Sequence, residues 1–209
     1  MTYITDLSVC VPSSALARDV QSGCWQIIPY ETVDPDVKGL MAGTASFNEA
    51  PEIRLPLNIS GWHAVYVGLW NPHHDYDGGT TVKIKLSDYP AFLRISEAEP
   101  PLDFNATWIK EAFFKTADLT GQEIVFSKVG GSFARKAYIA YVKLVPLDKN
   151  EIEAFKNDCT RKDTRILQAT IDGYSYFHNN EYRTQEHLLE IVERYRDSDV
   201  GKVIWDFNY

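Results

Sequence analysis

The sequence predicts a mainly β protein. An antiparallel jelly roll or β-sandwich over residues 1–147 is followed by a short βαβ segment, an incomplete α/β barrel, over 148–209. Three observations carry this expectation. Roughly eight short strand-like runs separated by turn residues fill residues 25–147, with no long helical period among them. After Val145-Pro146-Leu147 the apolar period switches to that of a helix, then back to strand, helix and strand. Hydrophobic residues make up 44% of the 209 and aromatics 13%, enough apolar material for a sizeable core and too much for a disordered chain.

Residues 1–24 have no clear period and read as an edge strand or an irregular lead-in. The strand-like runs then follow in order: CWQIIPY, PEIRLPLNIS, GWHAVYVGLW, TTVKIKL, AFLRI, TWIKEAFFKTADL, EIVFSKV and RKAYIAYVKLVPL. In TTVKIKL, Val82, Ile84 and Leu86 alternate with Lys83 and Lys85, the mark of a half-buried strand. In GWHAVYVGLW both alternating sets are apolar, Val65, Val67 and Leu69 against Ala64, Tyr66 and Trp70. That predicts a central strand covered on both faces. Gly68 inside it either weakens the strand or admits a close neighbour. Asp77-Gly78-Gly79 and Gly130-Gly131 each fall between strong strand runs and read as hairpin turns.

Beyond residue 147, Asp148 is placed to cap a helix, with Glu151 three residues on and Ile152 and Phe155 on one face. Ile166–Ile171 reads as a strand. A second helix runs from a Thr184 cap to about Arg196, with Leu188, Leu189, Val192 and Tyr195 in one stripe and Glu190–Arg194 as a pair on the polar side. KVIWDF is the closing strand. Strand, helix and strand in this order predict a parallel pair. One such pair with one helix leaves a parallel sheet underfilled. Residues 148–209 are therefore expected to open a longer α/β domain, with the remainder of a larger chain or a protein partner covering them. The alternative is a complete chain whose βαβ tail packs on the sandwich as an α+β appendage.

Composition narrows function. The net charge is −8, from 12 basic against 16 acidic residues in 1–147 and 9 against 13 in 148–209. With no basic half or tail, nucleic-acid binding through phosphate neutralisation is disfavoured, as is a polybasic membrane contact. No apolar run approaches membrane-spanning length, and the first 20 residues lack a basic start followed by an apolar stretch. A soluble chain is expected, its compartment left open. Cys10, Cys24 and Cys159 are odd in number and contain no CxxC pair, which argues against a zinc ribbon or redox dithiol and leaves a Cys10–Cys24 disulfide open. His73, His74, Asp75 and Asp77 lie in WNPHHDYDGGTT, but their spacing matches neither a zinc nor a calcium loop. No metal and no cofactor is expected.

Two groups of residues remain as candidates for ligand contact. At the carboxyl ends of the two tail strands, where α/β folds bind ligands, lie Asp172, Tyr174, Tyr176, His178, Asp206, Asn208 and Tyr209. Carboxylates, amides and aromatic rings together suit a sugar, with polar contacts to hydroxyls and flat faces for ring C–H surfaces. Paired carboxylates also serve as acid and base in glycoside hydrolysis; the favoured alternatives are that Asp172-Gly173 ends its strand and that Asp206 bonds a neighbouring backbone. In the sandwich, Trp62, Trp70 and Trp108 are candidates for a sugar platform, with core packing as the alternative.

ISGWHAVYVGLW followed by TTVKIKLSDYPAF resembles the galactose-binding-like sandwich domains attached to bacterial carbohydrate enzymes. ILQATIDGYSYFHNN, with TQEHLLEIVERYRDSDVGKVIWDFNY after it, is similar to the opening of a (β/α)-barrel in glycoside-hydrolase-like proteins. The resemblance covers about residues 50–147 and 165–209. It implies a non-catalytic, carbohydrate-contacting N-terminal portion of a larger polysaccharide-acting enzyme. A stand-alone lectin-like module, or a sandwich that only packs on a protein partner, are the alternatives. The later barrel strands, where such enzymes carry their acid and nucleophile, are absent, so the chain itself is expected to be inactive.

Overall fold

The computed structural model describes residues 1–71, 79–97, 109–130, 134–172 and 184–206. The chain divides into two compact units, Met1–Asp88 with Arg94–Pro146, and Tyr89–Leu93 with Leu147–Tyr209.

The fold is mostly β. Its strands are β1 (Thr2–Ile4), β2 (Leu16–Ala17), β3 (Trp25–Glu31), β4 (Lys38–Thr44), β5 (Ile53–Pro56), β6 (Trp62–Trp70), β7 (Thr80–Leu86), β8 (Leu93–Glu97), β9 (Ile109–Asp118), β10 (Glu123–Lys128) and β11 (Ala137–Pro146). They make a sandwich of two sheets. One runs β2-β3-β4-β11-β6-β9, with β1 added on β11, and the other β5-β10-β7-β8. Apart from the short β2–β3 pair, every register resolved within these sheets' strands is antiparallel. The buried faces are mainly aliphatic: Val65, Val67 and Leu69 on β6 and Ile139, Val142 and Leu144 on β11, with Ile53, Leu55, Val82, Ile84, Ile124 and the aromatic Phe126 from the second sheet, all within 1% of full burial. Trp25 fills the end of β3 in the same core, its indole donating to the Pro51 carbonyl at 2.7 Å.

Several expectations change. The chain passes from one sheet to the other between β6 and β7 and again between β10 and β11. Neither β6 with β7 nor β10 with β11 therefore forms the expected hairpin, and residues 77, 78 and 131 lie outside the described residues. Two strands legible only poorly in sequence, β1 and β4, complete the larger sheet. β6 is central, between β11 and β9, but only one of its faces is fully buried, while Trp62, Ala64, Tyr66 and Trp70 are half-buried. Cys10 and Cys24 are buried and free, with no disulfide between them; burial, and then the nearby Asp6 carboxylate, push the Cys10 thiol up to about 12.

The second unit holds α1 (Lys149–Thr160), β12 (Leu167–Asp172), α2 (Gln185–Glu193) and β13 (Val200–Asp206). Asp148 and Glu151 form the capping box the sequence predicts. β12 and β13 are parallel, as expected of a βαβ unit. α2 is rotated from its predicted orientation. Ile191, not the Leu188–Leu189–Val192 stripe, is its fully buried apolar residue and meets Ile171, with Tyr195, Val203 and Trp205 around them. Glu190 is buried, and Arg196 pairs with Glu193 at 2.8 Å. The opposite face of the strand pair carries the exposed Gln168, Thr170, Asp172, Lys202 and Asp206, with the half-buried Ile204 among them. A βαβ unit is thus present, and the described residues form no closed barrel.

Candidate functional site

The solvent-side face of the larger sheet carries a second cluster, aromatic where the core is aliphatic. A β-bulge creates it. Along β11 the register with β6 shifts between Ile139 and Tyr141, so Ala140 is the extra residue. Strict alternation would put Tyr138 and Tyr141 on opposite faces. The bulge resets the phase, and Tyr138, Tyr141 and Lys143 share one face. A second bulge on β9, beside the Val65/Tyr66 pair, turns Phe114 into the core and leaves Phe113 outside, opposite Tyr66.

Glycines seat the tyrosine rings. Tyr141 pairs with Gly68 across β11 and β6, and a Cβ at Gly68 would lie 2.6 Å from the Tyr141 ring. Tyr138 pairs with Gly43 on β4 and covers it in the same way. The neighbour that Gly68 admits is therefore a tyrosine ring, which restores the side-chain contacts a glycine forgoes in a strand. Trp70 stands edge-on to Tyr138 at 5.0 Å, Tyr3 to Tyr141 at 5.3 Å, and Tyr66 to Phe113 at 5.5 Å, all in the T-shaped geometry aromatic pairs favour. Tyr30, Val37, Met41, Ala140 and Tyr141 form the buried base of this cluster.

One carboxylate organises its polar part. Glu111 on β9 accepts from the Tyr141 hydroxyl at 3.1 Å and the Tyr3 hydroxyl at 3.5 Å through Oε1, and from Lys143 Nζ at 2.7 Å through Oε2. Lys143 Nζ also lies 5.3 Å from the Tyr66 ring centre and 5.8 Å from that of Tyr3, within cation–π range. Its hydrogen bond to Glu111 holds its pKa above the ordinary lysine value. Burial, then the Glu111 charge, push the Tyr141 phenol above its usual range. Phe113, at 54% exposure, projects from the cluster. The result is a flat apolar ring beside a fixed, partly exposed carboxylate–ammonium pair. That pair can accept from one ligand hydroxyl and donate to the next while an apolar ligand face rests on the ring.

Of the residues the sequence singled out, Trp62 and Trp70 do share this face, at opposite ends of β6, about 27 Å apart. Only Trp70 joins the cluster. Asp172 and Asp206 are register partners at the ends of β12 and β13, both exposed on the polar face of the second unit. Tyr174, Tyr176, His178, Asn208, Tyr209 and Trp108, and the loop with His73, His74, Asp75 and Asp77, lie outside the described residues. No group of three or more His, Cys, Asp or Glu that could hold a metal occurs among the described residues. Sequence reasoning missed Tyr3, Tyr30, Glu111, Phe113, Tyr138, Tyr141 and Lys143. The available signal was the odd spacing Tyr138, Tyr141, Lys143, which only a bulge reconciles with one face.

No protein-family model matches the chain, and no curated protein does. Among solved structures, a family 35 carbohydrate binding module from Clostridium thermocellum aligns over 57% of this chain and 87% of its own, at 11% identity and a TM-score of 0.33. The Bacillus thuringiensis insecticidal crystal protein Cry7Ca1 aligns over 61% of this chain and 21% of its own, at 8% identity and a TM-score of 0.34. At these scores neither alignment assigns a family or a ligand to this chain.

Proposed function

We propose that the first unit binds carbohydrate on the solvent-side face of its larger sheet. The observation that carries this is the setting of Phe113, a half-exposed ring braced edge-on by Tyr66, next to the Glu111–Lys143 pair that Tyr3 and Tyr141 fix in place. Sugars present apolar C–H faces beside closely spaced hydroxyls. A rigid aromatic surface with an adjacent acceptor and donor matches that alternation at low ordering cost. Further along this reading, the unit is a non-catalytic, ligand-positioning part of a larger polysaccharide-acting protein. The exposed Asp172–Asp206 pair at the strand ends of the second unit supports that extension.

Titration of the full chain against a panel of neutral and acidic oligosaccharides tests the proposal. Saturable binding is expected, weakened about tenfold or more by Phe113→Ala, the effect of losing ~1.4 kcal/mol or more at one contact. No saturable binding to any glycan, together with a stable dimer in solution, would overturn it in favour of a protein-interaction sandwich.

A further inference from the structure

The turn that follows β4 presents Phe47 with 84% of its surface exposed, well above the 54% of Phe113. That turn is braced from two sides. The Asn48 side chain accepts from the Gly23 amide at 2.8 Å and donates to the Cys24 carbonyl at 2.7 Å and to Thr44 Oγ1 at 3.1 Å, and the Asn48 amide closes the turn on the Ala45 carbonyl at 3.2 Å. From the second sheet, Lys128 at the end of β10 donates to the Ser46 carbonyl, which belongs to the peptide bond leading into Phe47. Lys128 is 92% buried, and an ammonium carries three donors. Among the described residues Ser46 supplies its one hydrogen-bond acceptor. Burial moves the Lys128 pKa down, and the charge of the exposed Glu49, two residues past Phe47, opposes that shift. A buried cation with donors to spare is costly unless something accepts from them. An exposed ring by itself is ordinary on a protein surface; one held on a braced turn beside an under-used ammonium is a contact surface already ordered.

We infer that this turn is a second carbohydrate-contact site, in which the Phe47 ring takes the apolar face of a sugar and the Lys128 ammonium donates to one of its oxygens. The inference rests on the carbohydrate reading above and specifies its ligand. Ring, carboxylate and ammonium recur here as Phe47, Glu49 and Lys128, the same three groups as Phe113, Glu111 and Lys143. The two rings serve separate ligand segments. β9 and β4 are three strand spacings apart, about 14 Å. Phe113 and Lys143 share the partner Tyr66, and from Lys143 the chain runs back along β11, with one bulge, to Ala137, the partner of Thr44 at the end of β4, about a further 17 Å. No single sugar ring reaches both. The ligand is a polymer of repeating sugars held at two points, and the first unit binds it bivalently.

The experiment is a calorimetric titration of the full chain with cello-, manno- and xylotriose and with soluble glucan, mannan and xylan, using the wild type, Phe47→Ala and Phe113→Ala, and Lys128→Met in the Phe113→Ala background. For the sugar series that binds, two trisaccharides per wild-type chain are expected and one per chain in either phenylalanine variant. Polymer affinity is expected to fall about tenfold or more in each, because the second contact no longer adds avidity. Phe47→Ala is expected to leave the thermal midpoint unchanged, since the ring is exposed. Lys128→Met is expected to weaken the trisaccharide that Phe113→Ala still binds by about three- to tenfold. Three results overturn this site while the carbohydrate reading stands: one trisaccharide per wild-type chain that depends on Phe113 and not on Phe47, polymer affinity unchanged by Phe47→Ala, or a remaining trisaccharide indifferent to Lys128→Met. Absence of binding across the whole series removes the carbohydrate reading and this inference with it.

Discussion

The two faces of the larger sheet are built from the same strands and are chemically opposite. On β6 the core face reads His63, Val65, Val67, Leu69, and the other face Trp62, Ala64, Tyr66, Gly68, Trp70. On β11 the core face is Ile139, Val142, Leu144, and the other Tyr138, Tyr141, Lys143. The aliphatic face is interchangeable material packed to exclude water. The aromatic face consists of specific pairs, ring on glycine, ring edge on ring, carboxylate on hydroxyl, each dependent on its register partner. The difference teaches that hydrophobic burial sets the sandwich, whereas two bulges and two glycines set the candidate site.

Four changes break or sharpen this contrast. Leu69→Ala empties a fully buried position of the aliphatic face and is expected to cost about 2–5 kcal/mol in denaturant unfolding, with little effect on glycan affinity beyond lost folded protein. Gly68→Ala puts a methyl group against the Tyr141 ring and is expected to cost about 1–3 kcal/mol. Because it displaces the ring that bonds Glu111, it should also weaken oligosaccharide binding at protein concentrations where folding is complete. Phe113→Ala is the converse, within about 0.5 kcal/mol of wild-type stability because the ring is half exposed, yet strongly impaired in binding.

The smallest effect is expected from alkali. Burial raises the Tyr30 phenol from 10.0 to about 12 and moves Tyr141 in the same direction. A group whose pKa is raised in the folded state contributes stability that is complete below its unfolded value and is lost as pH climbs through the folded one. The thermal midpoint should therefore hold up to pH 10 and fall between 10 and about 12, and the fall should be shallower in Tyr30→Phe.

Much of the sandwich was legible because its physics is local. The alternation of TTVKIKL and the Asp148–Glu151 capping box each report their own environment, and GWHAVYVGLW reports its central place in the sheet but not the partial exposure of its second face. β4 was missed because Gly39, Ala42 and Gly43 have weak strand preference. They are there for what comes close: the Thr5 backbone beside Gly39 and the Tyr138 ring over Gly43. The glycine pairs at 78–79 and 130–131 were taken for hairpins because turn chemistry reveals a change of direction and not which sheet the next strand joins. Helix α2 was misoriented by its apolar count, since Ile191 alone against Ile171 fixes its rotation. The candidate site was the least legible part. A bulge adds one residue without any compositional mark, and Tyr141 and Lys143 share a face with Tyr138 because of it.

One of the shortest strands has the longest reach. β1 takes the half of β11's edge that β4 leaves, pairing Thr2 with Leu144, Tyr3 with Lys143 and Ile4 with Val142, and then runs alongside β4 through the Asp6–Leu40 bridge. During synthesis Thr2–Ile4 must wait for residues 142–144 before they find their place. Such distant closure is the slow kind of contact in folding. Tyr3 travels with that strand, so its bond to Glu111 and its ring contact with Tyr141 form only once residues 142–144 are in place.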